Sequence, residues 1–103
     1  MTVKIFIKRH IQEEDMEVAL SLLSQFRITA MGRPGYISGE TLVNHYDPRS
    51  VTVVSTWQTV EDWINWQESD ERDRNEARLE KMLEQPTKYE VYDVGVLPKK
   101  PRS

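Results

Sequence analysis

The sequence predicts an α+β domain with four strands and two helices in the order βαββαβ, and three observations carry that expectation. Apolar residues recur at every second position near both ends and in two central segments, the period of a half-covered strand. In two intervening segments they recur at every third or fourth position, the period of an amphipathic helix. Clusters of Gly, Pro, Asn and Asp mark the changes of period.

Residues 2–10 read as the first strand. Val3, Ile5 and Ile7 fall on one face and Lys4, Phe6 and Lys8 on the other, and β-branched side chains suit a pleated surface. Glu13, Glu14 and Asp15 stand where a helix dipole favours negative charge. Met16, Ala19, Leu20, Leu23, Phe26 and Ala30 then draw one apolar stripe, which Gly32 and the run Arg33, Pro34, Gly35 bring to an end. Tyr36 to Val43 predicts a second strand and Val51 to Trp57 a third. The turn formers between them, Asn44 to Arg49, make the pair a hairpin.

Thr59, with Asp62 three residues on, is a capping-box-like start to the second helix, which places Trp63 and Trp66 one turn apart. A break is expected near Ser69 and Asp70. From Asp70 to Glu84 ten of fifteen residues are charged. Asp70 with Arg74 and Arg72 with Glu76 have i,i+4 spacing, and only Leu79, Met82 and Leu83 remain for burial. Pro86 is expected to stop this helix, and Lys88 to Val94 alternates as the last strand. The whole order is the ferredoxin-like, split βαβ pattern, an antiparallel sheet with its helices on one face.

With 103 residues the chain is long enough for one domain. We take residues 1–96 as that domain and 97–103 as a basic, flexible tail. With 38% hydrophobic residues, a domain of this size builds only a modest core. The absence of cysteine excludes disulfides and thiol chemistry. No run of apolar residues is long enough to span a membrane, and the N-terminus lacks the apolar core of a signal peptide, so a cytoplasmic protein is expected. The net charge is −3, and with Lys99, Lys100 and Arg102 in the tail the body is more acidic still, which argues against nucleic acid as a partner. Helices on one face leave the other face of the sheet, Phe6 among lysines, uncovered. A homodimer is the expected remedy.

Metal ligation finds no support, because His10 and His45 are far apart and expected to be exposed or locally bonded. No nucleophile elbow and no phosphate loop occurs. The carboxylates Asp70, Glu71, Asp73, Glu76, Glu80 and Glu84 are expected to form a solvated face rather than an acid–base pair. The aromatic cluster is the informative feature. Trp57 and Trp63 can fill a thin core with Phe26, whereas Trp66, one turn further, widens a helix wall that can line an apolar pocket.

The segments Gly35 to Leu42, Val53 to Trp57 and Val60 to Ser69, with the closing Tyr89 to Val94, resemble the antibiotic biosynthesis monooxygenase (ABM) domain family over about residues 3–95. The strand-ending Trp57, followed nine residues later by Trp66 and then by Ser69, is the strongest part. The resemblance implies a dimeric α+β barrel, two ferredoxin-like subunits joined through their sheets, with a pocket for a flat aromatic substrate in each. It also implies a monooxygenase that needs no cofactor and acts with molecular oxygen on a small aromatic molecule; a non-catalytic module binding an apolar metabolite is the alternative. Trp66 is then the candidate catalytic residue, a wall and hydrogen-bond donor. Ile7, Phe26 and Trp63 are candidate lining, and Arg9 or Tyr36, near the mouth, would hold a substrate anion. The family's heme-degrading branch has an Asn on the first strand and a His about ten residues beyond the Trp; this chain has no Asn from Thr2 to His10 and has Glu76 at that later position.

Overall fold

The computed structural model describes residues 1–95, so the expected tail, 97–103, lies outside the described residues. Strand β1 (Val3–His10) is followed by a short 3-10 turn and helix α1 (Met16–Met31), then by β2 (Tyr36–Val43), β3 (Ser50–Trp57), α2 (Val60–Gln67), α3 (Asp70–Glu80) and β4 (Lys88–Asp93). The strands pair in the order β2-β3-β1-β4, every pair antiparallel. This is the expected α+β, ferredoxin-like sheet.

Register decides which side chains share a face. Ile5 lies opposite Ser55 and Val91, and Ile7 opposite Val53 and Tyr89. Val3, Ile5, Ile7 and Arg9 therefore turn together to the buried side, while Phe6 shares the open side with Val54, Glu90 and the lysines. Across that open face the rings of Phe6 and Tyr92 meet edge-on at 5.3 Å, and Lys8 pairs with Glu90 at 3.1 Å. Under the helices lie two clusters. One gathers Val3, Ile5, Ile7, Ala30, Trp57, Trp63 and Trp66. The other gathers Ile11, Ala19, Leu22, Leu23, Phe26, Val51 and Leu79.

The helix ends follow local chemistry. Thr59 Oγ1 accepts from the Asp62 N–H at 3.1 Å, and its own hydroxyl donates to Asp62 Oδ2 at 2.9 Å. Ser69 makes the expected break: its Oγ accepts from Arg72 N–H at 3.2 Å and donates to the Trp66 carbonyl at 2.8 Å, which ends α2 and caps α3 in one side chain. Gly35 has φ +83°, and a Cβ there would stand 2.0 Å from Asp62 Oδ2, so turn geometry and close approach both require glycine.

Three expectations are corrected. The last helix stops at Glu80, well before Pro86. The backbone after it is drawn to the end of β1, where Gln12 N–H donates to the Met82 carbonyl and Glu84 N–H to the His10 carbonyl. Leu22, omitted from the expected stripe of α1, is buried, whereas Met16 and Leu20 only pack at its edge. The acidic run is not uniformly solvated, because Arg72 is buried and Glu76 turns inward. His45 lies exposed as expected, whereas His10 bonds to side chains from distant parts of the chain. His10 sits 3.1 Å from Glu84 and 3.2 Å from Asp47, and His45 meets exposed Tyr46 edge-on. Among the described residues no His, Cys, Asp and Glu group suits a metal ion, and no helix is long and apolar enough to cross a membrane.

Candidate functional site

Between the covered face of the sheet and the helices lies a cavity that brings together all six residues singled out from the sequence: Trp66, Trp63, Phe26, Ile7, Arg9 and Tyr36. Counting its open mouth it encloses about 510 Å³ of atom-free space, but only about 50 Å³ admits the centre of a water molecule. The smaller figure governs fit. It has room for a few waters, so a ring enters only with side-chain movement. Arg27, on α1, is exposed and also lines the cavity.

Its walls are aromatic. The ring of Trp57, which also lines the cavity, meets Tyr36 edge-on at 5.3 Å and Trp63 at 6.1 Å. The Trp57 indole N–H donates to Ser55 Oγ at 3.1 Å, so this buried indole is satisfied. The guanidinium of Arg33, in the turn before β2, lies 5.5 Å over Trp66. Gly39 leaves space for the Tyr36 hydroxyl, since a Cβ there would come within 2.5 Å of it.

Its polar side is made by β1 and α3. Arg9 continues the inward alternation of Val3, Ile5 and Ile7, and is only 4% exposed. It therefore lies deep inside, not near the mouth as expected. The Ser69 cap starts α3 in a phase that puts Arg72, Glu76 and Leu79 on one inward stripe, i, i+4, i+7. Glu76 Oε1 accepts from Arg9 Nη2 and forms an ion pair with Arg72 Nη2 at 3.1 Å. Arg72 also donates to the Tyr89 hydroxyl at 2.8 Å and stacks 5.3 Å from the Trp63 ring and 5.6 Å from that of Tyr89. Burial pushes the Arg9 pKa down, and Glu76 pulls it partly back, but a guanidinium stays charged at neutral pH. Arg9 Nε has no hydrogen-bond partner, the one such buried side-chain atom among the described residues. An unpaired buried donor of this kind costs about 1–3 kcal/mol.

Arg72, Glu76, Trp57 and Ser55 were missed as cavity residues. A signal existed for α3: Arg72 and Glu76 lie seven and three residues before Leu79, so the same helical phase that buries Leu79 turns both charges inward. Position 76 does not fit the iron ligand of the heme-degrading branch, because its carboxylate is held by two guanidiniums and α3 contains no histidine.

Fold and site together define an α+β domain of ferredoxin-like topology with an aromatic cavity under its helices. No family model and no curated protein matches the chain. Among solved structures it is similar to a conserved protein from Methanosarcina mazei Go1, with 15% identity, a TM-score of 0.85, and 89% of this chain and 91% of that one covered. It is similar to an antibiotic biosynthesis monooxygenase, with 14% identity, a TM-score of 0.82, and coverage of 93% and 99%. SnoaB, a cofactor-independent oxygenase from Streptomyces nogalater, gives 9% identity, a TM-score of 0.82, and coverage of 96% and 98%. The domain is thus ABM-like in fold. At such identities a shared fold does not carry a shared reaction.

Proposed function

We propose that this protein is a cofactor-independent monooxygenase of a small phenol- or quinol-like substrate. The observation that supports it is the aromatic-walled cavity with a buried guanidinium at its polar side, in a fold shared with proteins of that description. An ionised phenol is itself the reductant. Oxygen adds at a ring carbon that bears hydrogen, and loss of water from the hydroperoxide leaves a quinone, so phenol and O2 give quinone and water. The protein binds and orients the ring, excludes water and stabilises the anion. Trp66 and Trp63 serve as walls, Ile7 and Phe26 as apolar lining, and Arg9 or Tyr36 as the partner of the substrate oxygen. Pairing of the open sheet faces of two copies, and a cytoplasmic setting, belong to the same proposal. The apolar exposure of Leu42 and Tyr92 on and beside that face supports the dimer.

Oxygen uptake with a panel of quinols is the test. Uptake matched by quinone formation is expected, with kcat lowered at least tenfold in Trp66→Phe; full turnover in that variant would remove Trp66 from the chemistry. Quenching of tryptophan fluorescence by aromatic ligands without oxygen uptake would identify a binding module instead. Light scattering that shows only monomers at micromolar concentration would refute the dimer.

A further inference from the structure

We propose that the triad of buried Arg9 and Arg72 with half-buried Glu76 makes this cavity a site for a singly charged aromatic oxyanion, a phenolate or an aryl carboxylate, and that Glu76 sets the charge it accepts. The phenolate form rests on the oxygenase reading; the carboxylate form does not.

Three observations carry the proposal. Two guanidiniums face one carboxylate, so the group has an excess of one positive charge, whereas Arg27, which also lines the cavity, is exposed and screened by solvent. Arg72 is engaged by Glu76, by the Tyr89 hydroxyl and by the faces of two rings. Arg9 donates to Glu76 through Nη2, and its Nε–H, buried and unpartnered in a residue that lines the cavity, is a donor available to a ligand. A monoanion neutralises the excess charge and fills that donor. A neutral ligand leaves the charge uncompensated, and a dianion overcompensates it in a poorly solvated space. The walls of Trp57, Trp63 and Trp66 demand that the rest of the ligand be flat and apolar. Glu76 is a positioning residue here: it holds the outer end of Arg9.

The test measures binding of isosteric pairs to the intact protein by calorimetry. Benzoate is expected to bind at least tenfold more tightly than benzamide, the scale of a charge-assisted hydrogen bond. Isophthalate is expected to bind more weakly than 3-carbamoylbenzoate. In Glu76→Gln, which raises the local charge by one, that second preference reverses by at least fivefold; a purely structural role for Glu76 would leave the ratio unchanged. Arg9→Gln brings benzoate and benzamide within twofold, and Arg9→Lys, which keeps the charge but not Nε–H, gives an intermediate ratio should the Gln variant fail to fold. Equal binding of benzoate and benzamide by the parent protein, or an unchanged isophthalate ratio in Glu76→Gln, overturns the proposal. 4-Nitrophenol separates the two oxyanions: its bound form ionises at lower pH than the free form if the site takes phenolates. If benzoate is preferred but nitrophenol stays neutral when bound, the monoanion site stands and the phenolate chemistry of the oxygenase reading fails. Oxygen uptake with quinols alongside equal benzoate and benzamide binding gives the opposite result.

Discussion

The two clusters under the helices are built on opposite rules. Around Ile11, Leu22, Leu23, Val51 and Leu79 the space is taken by aliphatic side chains that interdigitate and carry no polar group of their own. Around Trp57, Trp63 and Trp66 three large indoles dominate, a gap remains, and a guanidinium–carboxylate–guanidinium triad lies against it. The first arrangement maximises dispersion and apolar burial. The second gives up some of that and retains charges that need good geometry to repay their dehydration. One half of the interior holds the helices to the sheet; the other keeps a cavity and an electrostatic field in place.

Substitutions can break this contrast. The largest effect is expected at the triad: Glu76→Ala leaves two inward guanidiniums without their carboxylate and should cost about 3–5 kcal/mol in urea unfolding. Replacing all three members by apolar residues, Arg9→Met, Glu76→Leu and Arg72→Met together, should leave stability unchanged or raise it by about 1–4 kcal/mol while abolishing the preference for benzoate. A triple variant as unstable as Glu76→Ala alone would mean that the triad holds the fold as well as the site.

In the aliphatic half, Leu79→Ala should cost about 3 kcal/mol by the same measurement and leave the benzoate-to-benzamide ratio unaltered. Smaller still is the joint between the halves. Ser69→Ala removes the cap of α3 and should lower stability by about 1 kcal/mol. Because the cap sets the phase of Arg72 and Glu76, it should also weaken benzoate binding more than Leu79→Ala does.

The smallest effect belongs to the open face, with the surface cluster of Lys8, Glu90 and Tyr92. The bond from Lys8, and then that from Tyr92, holds the Glu90 carboxyl below its usual pKa, while the bond to Glu90 raises that of the Tyr92 phenol. The Glu90 contribution is therefore present above the ordinary carboxylate pKa and lost as pH falls through the lowered value. The Tyr92 contribution is present below the ordinary phenol pKa and lost as pH rises through the raised value. Melting temperatures of the parent and Glu90→Gln should converge at both extremes and in high salt, since all these groups are exposed. A difference that persists in 1 M salt would show the cluster to be shielded, as a dimer across this face would make it.

Much of this was legible in the chain. The alternation of β1 and the glycine and proline at the end of α1 show in the sequence because each is a matter of a few neighbouring residues. So do the cap at Thr59 and the break at Ser69. All six candidate site residues line one cavity, because strand and helix periods already put them on the covered side. The run from Asp70 to Glu84 was misread where composition outweighed phase: ten charges in fifteen residues suggest solvent, yet Arg72 and Glu76 share the stripe of Leu79. The end of α3 was misplaced because Pro86 is a local stop, whereas the actual stop is made by distant backbone at Ile11 and Gln12.

By itself, then, the sequence determined the elements, their order and the faces they bury, since periodicity, caps and turns act over a few residues. Only the tertiary structure decided the electrostatics of the cavity. Arg9 and Glu76 lie 67 positions apart, and whether a charge is solvated, paired or left with a free donor depends on what other elements place beside it. That meeting of β1 with α3 turns an aromatic cluster into a cavity with a charge of its own.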